Sequence, residues 1–457
     1  MKKGMLGKIV SLAVATAMSA TLLAGCGSSS ASSAAASAAS TGTSAAASTA
    51  ASSADSTSGS SGTINLDFWT LSTRQEGTDP IVEAFNASQD KIKVTVSYYD
   101  TDGIKDACKV AAQSGTLPDM WFNWGGSLGS YYVTNGCTYD LTQYAKDNDW
   151  SNKFTSGVTT LCTLDGQLCG YPTSYNVIGM YYNKAVFEKY NLSVPTTFDE
   201  FEQVCATLKQ NGITPISTGG LYGWHPMRLL EQFIEYYAGA DLHDQLNTFA
   251  TSWNCDAVQK ALAKFKEFCD KGYFPEGWNT ADPNDTYMAL ASGTAAMDIQ
   301  GQWYDGTLTT NEIDPNEYGW FAFPNGTGRM SAFAEMTQFN KNLTDDELAA
   351  CIQFEDYFYN KDNIANYGDW MNLPVPTVDA DMPDTATSPH VADMIETSNK
   401  NGIFTITDQA FPTEVADVLF DDQTALDNGS ITPEAASANI QTAIESYLSG
   451  STGSTSS

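Results

Sequence analysis

Arginine is nearly absent from this chain. It occurs only at Arg74, Arg228 and Arg329, and histidine only at His225, His243 and His390. Carboxylate and phosphate recognition favours the bidentate guanidinium, so this scarcity tilts the expected ligand toward an uncharged one. The nine cysteines show no C-x-x-C pair and no histidine at zinc spacing, which leaves no metal cluster to expect. No G-x-x-x-x-G-K-[ST] occurs, so a P-loop nucleotide site is not expected, and no cofactor is. Beyond the N-terminal leader, no apolar run is long enough to cross a bilayer. Acidic groups outnumber basic ones 54 to 22, for a formal net charge of −32. Such a charge repels nucleic acid and anionic lipid, and its plain use is solubility on an exposed surface.

What is present begins with a leader. Lys2, Lys3 and Lys8 precede a short apolar run at 9–23 that ends in Leu23-Ala24-Gly25-Cys26, so residues 1–25 read as a signal peptide. The ending resembles the lipobox of bacterial lipoproteins. That resemblance implies cleavage before Cys26 and a thioether-linked diacylglycerol on it, placing the chain on the outer face of the cell membrane. Stable anchoring takes two or more acyl chains. Residues 27–62 are almost entirely Ser, Ala, Gly and Thr. They cannot bury enough apolar surface to fold, and as a flexible tether they span on the order of 30–35 Å. Residues 449–457 are expected to be disordered by the same logic.

Roughly 390 residues then remain to fold, more than one core usually holds, so two lobes are expected. Strand patterns at 64–70, 92–99 and 120–123 alternate with helical patterns at 79–87 and 102–115. This β-α-β-α-β order predicts a parallel sheet with helices on both faces. Ligands of such sheets sit beyond the strand C-termini, which points to the expected loops at 71–77 and 124–130. Asp165-Gly166 signals a two-residue hairpin turn. In that register Thr163 faces Leu168 and Cys162 faces Cys169, with Cα atoms about 5.5 Å apart. Either a disulfide or two buried thiols fits that geometry.

The stretch at 170–217 is the most readable. Residues 177–182 form an apolar strand pattern and 183–190 a short helix. A second helix spans 197–210, with Thr197 as N-cap and Glu200 completing a capping box. Phe198, Phe201, Val204, Cys205 and Leu208 recur at helical spacing, and Gly212 ends the helix. Pro172, then YYNK at 181–184, FEKYNL at 187–192, PTTFDEF at 195–201 and GITPI at 212–216 come in an order that resembles the extracellular solute-binding proteins of ABC sugar importers, in the maltose-binding-like group. The resemblance runs from about residue 63 to 448. It implies a two-lobe periplasmic-binding-protein-like α/β fold (type II), each lobe a mostly parallel sheet flanked by helices, joined by a multi-segment hinge. The implied N-terminal lobe is 63–174 plus 327–370, and the C-terminal lobe 175–326 plus 371–448. Crossings between them are expected after Tyr171-Pro172, at 320–324 and within 364–376. The resemblance further implies a monomer that hands a mono- or oligosaccharide to membrane permease subunits driven by an ATPase.

Candidate contacts follow. Trp69, Trp124, Trp224, Trp278 and Trp303 fall in or beside expected loops, with Arg74, Gln75, Asn123, His225, Asp298 and Gln300 nearby. Indole faces suit the CH face of a sugar, and polar side chains suit its hydroxyl rim. The alternative use of any of these rings is core packing. The run at 290–303 resembles the family's G-x-x-A-M-x-x-x-G-x-W signature, which implies that Trp303 stacks on ligand. Asn123-Trp124-Gly125-Gly126 and Gly223-Trp224 resemble two further pocket segments. Tyr175-Asn176 and Gln409 with Phe411 align with others. Three competing uses stand beside this one. Gly125-Gly126-Ser127-Leu128-Gly129 is a literal G-x-S-x-G, the pattern of a hydrolase nucleophile elbow, and any histidine can complete a triad with Ser127. With 54 acidic residues, a carboxylate pair for glycoside hydrolysis can arise by chance. Clustered Asp and aromatics also suit a polyamine. No residue set convinces as catalytic, and a non-enzymatic binding protein is expected.

Overall fold

A computed structural model describes residues 62–164, 166–363, 377 and 387–452. Cys26, the leader, the tether and the expected third crossing at 364–376 lie outside the described residues. The alternating INLDFWTL run forms β1 (Ile64–Leu71), with Leu66 and Phe68 buried. β2 (Ile92–Tyr99) pairs with it in parallel from Ile64↔Ile92 to Leu71↔Tyr99, across the helix Gln75–Ser88. β3 (Met120–Trp124) lies parallel on the other side of β1. It is reached through the helix Thr101–Ser114, which Asp100 caps at its start and Gly115, at φ 70°, ends. The 163–168 hairpin pairs β4 (Thr163–Leu164) with β5 (Gln167–Leu168) in the expected register.

The centre of the molecule is the antiparallel pairing of β6 (Tyr171–Asn183) with β10 (Met330–Phe339). Every residue of β10 is buried. β6 changes partners along its length. Tyr171 to Val177 pair with β10, and Ile178 onward pairs with β8 (Ala295–Gly301) and β9 (Tyr318–Phe321). β7 (Thr214–Ser217) adds in parallel to β8, and β11 (Ile403–Thr405) in parallel to β10. The path is β2-β1-β3-β10-β6-β8-β7. Parallel pairing, expected for most of each sheet, holds at β1–β2, β1–β3, β7–β8 and β10–β11. The strands that carry the chain between the two halves pair antiparallel, because a segment that crosses one way must return the other.

Helices cover both halves. One core gathers around Phe68, Phe85, Tyr171 and Phe354, and a second around Phe201, Phe233, Phe265 and Phe268. Each ring fully withdrawn from water contributes about 1.5–3 kcal/mol. The helix Phe198–Gln210 has the capping box read from its sequence. Thr197 Oγ1 accepts from the Glu200 amide at 3.2 Å, and the Glu200 carboxylate accepts from the Thr197 amide at 3.2 Å. Thr344 and Glu347 repeat the device at the start of the helix Asp345–Phe358.

The expected loops are shorter than read, and helices begin in their place. After β1 a single turn at Ser72–Arg74 runs straight into the helix Gln75–Ser88. After β3, Gly125 alone separates Trp124 from the helix Gly126–Thr134. Trp224 is the first residue of the helix Trp224–Ala238, and Trp303 caps the helix Tyr304–Thr310. Glycine allows the tight exit from β3. Gly126 has φ 62°, and a Cβ there falls 2.2 Å from the Gln409 carbonyl oxygen. At Gly115, φ 70°, a Cβ meets nothing within 4 Å. Gly115→Ala therefore costs only the left-handed strain, about 1–2 kcal/mol, and Gly126→Ala costs clearly more. Denaturant titration of the two variants checks this, and equal losses contradict it.

Candidate functional site

Between the β1–β3 half and the β7–β9 half lies a cavity of about 320 Å³. Leu71, Thr73, Arg74, Thr101 and Trp124 line it from the first half. Trp224, Arg228, Thr286, Tyr287, Gln300, Trp303 and Thr307 line it from the second, and Asn176 and Glu335 come from the central strands β6 and β10. Helices start at this cavity: Thr101, Trp224 and Thr286 are each the first residue of one.

Three indoles face the space. Trp303 packs edge-on against Phe333 with centroids 5.3 Å apart, and Gly301 makes room for it, since a Cβ there falls 1.8 Å from the indole. The Arg228 guanidinium lies 4.5 Å from the Trp224 ring centroid and 5.1 Å from that of Trp303. Lys105 Nζ sits 4.9 Å over Trp124. Flat rings held on cations at one face keep fixed orientations.

The polar floor is a connected network. Arg74 forms an ion pair with Glu335, and Ser174 Oγ donates to the same carboxylate. Asn176 Nδ2 donates to Ser174 Oγ at 2.8 Å, and Gln302 Nε2 donates to Asn176 Oδ1 at 2.7 Å. Burial works against the Arg74 charge, but Glu335 with Tyr359 and Glu355 outweighs it, and the net shift is upward. On the other wall, Arg228 Nη1 donates to Gln300 Oε1 at 2.9 Å. Burial pulls the Arg228 pKa down to about 10 against the pull of Asp408, Asp298 and Glu231, so it stays charged at neutral pH. His225 Nδ1 accepts from the Gly219 amide at 3.2 Å, which leaves Nε2 to donate to Asp298 at 3.1 Å.

Six of the residues singled out from sequence meet at the cavity: Arg74, Trp124, Asn176, Trp224, Gln300 and Trp303. Two stand directly behind its lining. Asn123 donates to Gln338 Oε1 at 2.8 Å and accepts from the Trp124 amide at 2.8 Å. Asp298 accepts from Tyr304 Oη at 2.9 Å and from His225. The others do not line the cavity. Trp69 packs on Tyr99 at 5.0 Å, and Gln75 is exposed and bonded to Asp79. Tyr175 is partly buried. Trp278 is core, against Phe265 and Phe274. Gln409 is buried behind Gly125 and Gly126. Phe411 is fully buried between Phe249 and Trp253. Sequence reading missed Arg228 and Glu335. Arg228 stands four residues after Trp224 on one helix face, and Glu335 is a lone charge in the apolar run MSAFAEMTQF.

The G-x-S-x-G segment is not a nucleophile elbow. Ser127 is buried at the start of a helix, and its hydroxyl donates to the carbonyl oxygens of Phe411 and Asp408. Each histidine is held by a carboxylate: His225 by Asp298, His243 by Glu235, His390 by Asp305. Glu335 is the single carboxylate among the cavity's lining residues, and Arg74 occupies it. That leaves neither the carboxylate pair of a glycosidase nor the acidic cluster that suits a polyamine. Cys162 and Cys169 are buried thiols, and burial pushes Cys162 far up.

Two helix-covered halves, joined by shared strands and separated by an aromatic-lined cavity, define a periplasmic-binding-protein-like α/β fold. The model of the family described as bacterial extracellular solute-binding protein matches residues 80–393, and the chain belongs to that family. It is 26% identical over 279 residues to the multiple sugar-binding protein of Streptococcus mutans, covering 57% of this chain and 62% of that one. It is also 26% identical over 249 residues to an uncharacterised ABC transporter extracellular-binding protein of Pyrococcus horikoshii, covering 53% of this chain and 56% of that one. The chain thus spans less than two thirds of the length of these curated relatives. Among solved structures, a chitin oligosaccharide binding protein superposes with a TM-score of 0.75 at 22% identity, over 83% of this chain and 98% of that one. A bacterial solute receptor described as having an exclusive substrate preference for β-D-galactopyranose does so with a TM-score of 0.75 at 17% identity, over 84% and 100%.

Two predictions follow from the site's surroundings. Trp278→Ala empties a core position and costs about 3–5 kcal/mol of stability, whereas Trp303→Ala, at the cavity edge, costs less; thermal melts rank the two, and the reverse order contradicts this placement. Near the Arg74–Glu335 pair, Glu355 is buried, 1% exposed. Burial raises its pKa from 4.5 to about 8. The native state then holds a proton that the unfolded state has released, so stability falls as pH rises from about 4.5 to about 8. Glu355→Gln raises the melting temperature more at pH 8.5 than at pH 5, and an equal gain at both contradicts the assignment.

Proposed function

We propose that this protein is the carbohydrate-binding subunit of an ABC importer. It captures a mono- or oligosaccharide in the cavity and delivers it unaltered to the permease subunits. The observation that carries this reading is the convergence of Trp124, Trp224 and Trp303 on one cavity whose rim is polar. Sugars are amphipathic in the matching sense, with CH faces for the rings and hydroxyls for Asn176, Gln300 and the threonines. The multiple sugar-binding protein of Streptococcus mutans and the chitin oligosaccharide binding protein agree with it.

In this reading residues 63–174 with 327–370 form one lobe and 175–326 with 371–448 the other. Hinge closure then buries the ligand, the bend falling where β6 exchanges β10 for β8 and β9 as partners, and in the 322–329 return. Cys26 carries the lipid anchor on the outer face of the membrane, and the 27–62 tether lets a monomer reach its permease. Binding needs no catalytic group, which agrees with the engaged state of Ser127 and of the histidines. Titration calorimetry with tryptophan fluorescence across a panel of purified glycans tests the proposal. At least one glycan binds, perturbs the fluorescence and is recovered unchanged in mass, and Trp303→Ala weakens it by at least about tenfold. Turnover of any glycan, or binding of none, contradicts it.

A further inference from the structure

Two of the three arginines that seemed too few for an anion site line this one cavity, and they differ in kind. Arg74 is neutralised by Glu335. Arg228 is not: among the described residues no carboxylate forms an ion pair with it. The residue is only 8% exposed, and its Nε has no hydrogen-bond partner. One turn earlier on the same helix, Trp224 Nε1 is also buried and unpartnered. Both groups can only donate. Buried donors left unmade are costly, so an acceptor brought within reach of them is favoured.

The helix itself adds to this. Trp224–Ala238 starts at the cavity wall with no capping side chain and no acidic residue in its first turn. Its positive dipole end is therefore uncompensated, and that end favours an anion. The surrounding acids Asp408, Asp298 and Glu231 supply part of the counter-charge, but none of them forms an ion pair with Arg228 among the described residues. Asp298 is engaged by His225 and Tyr304. Glu231 is buried, and its pKa is raised to about 8 by that burial, so it is largely protonated at neutral pH. Burial likewise raises that of Asp408.

We infer that the saccharide this cavity takes is acidic, with a carboxylate, as in a uronic acid, seated against Arg228 and Trp224 Nε1. This rests on the carbohydrate reading above and narrows it. Arg228 holds the two indoles at the faces turned to it and presents its unused donors to the ligand, so one residue sets both stacking and charge selectivity.

The test uses the full chain and matched ligands: uronic-acid di- and trisaccharides, and the same compounds with each carboxylate reduced to the primary alcohol. By calorimetry, an acidic member binds at least about tenfold tighter than its reduced counterpart, and its affinity falls as salt is raised. Arg228→Gln costs the acidic sugar at least about tenfold more affinity than its reduced counterpart, so the preference is lost, while Arg228→Lys retains part of it. Equal or tighter binding of the reduced sugars overturns the inference and leaves the carbohydrate reading standing. Equal losses for both ligand forms in Arg228→Gln, with Arg228→Lys no better, show a purely structural arginine and also overturn it. Binding of no saccharide, acidic or neutral, removes both.

Discussion

A charge buried in the central strand pair organises this molecule. β10 is buried along its whole length, yet it carries Glu335. A carboxylate taken out of water demands a counter-charge and hydrogen bonds. Arg74 supplies the first from the turn after β1, and Ser174 supplies a bond from β6. These partners lie 261 and 161 residues away in sequence. Satisfying one side chain therefore fixes the end of β1 against the strands that join the halves, at the floor of the cavity. Ser174 in turn orients Asn176, and Gln302 holds Asn176 from the other side. The polar surface offered to a ligand follows from the need to keep Glu335 paired.

The opposite wall is built on stacking. Arg228 lies against two indoles and is held by Gln300. Gln300 and Asp298 are two residues apart on β8, in a strand buried at every position. The wall is thus anchored in the second core, the floor between the cores. The two walls are thus linked through strands that exchange partners, β6 pairing first with β10 and then with β8 and β9.

Local signals carried much of this architecture. Thr197 and Glu200 announced a helix start that the structure reproduces hydrogen bond for hydrogen bond, and Asp165-Gly166 announced the hairpin register between Thr163 and Leu168. Both are short-range patterns whose physics is contained in a few adjacent residues. Trp303 was legible through its resemblance to a family signature. Trp278 was not separable from it by composition: each is a tryptophan near glycine and polar neighbours, and only long-range packing on Phe265 and Phe274 makes one of them core. Phe411 and Gln409 lie beyond sequence reading for the same reason. The loops were over-long because amide groups at the strand ends are satisfied at once by helices, with Gly125 and Gly126 permitting turns that spacing alone does not reveal. Arg228 and Glu335 were hidden by their settings, one within the helix Trp224–Ala238 and the other in an apolar strand.

The central claim is that three indoles and a polar floor form one carbohydrate-binding cavity. A crystal structure of the chain with a bound saccharide tests it most directly. The account predicts a sugar ring lying flat on the Trp303 indole, with carbon atoms within about 4.5 Å and a ligand oxygen bonded to Arg228, Asn176 or Gln300. A saccharide bound elsewhere on the surface, with the cavity between the halves unoccupied, would contradict it.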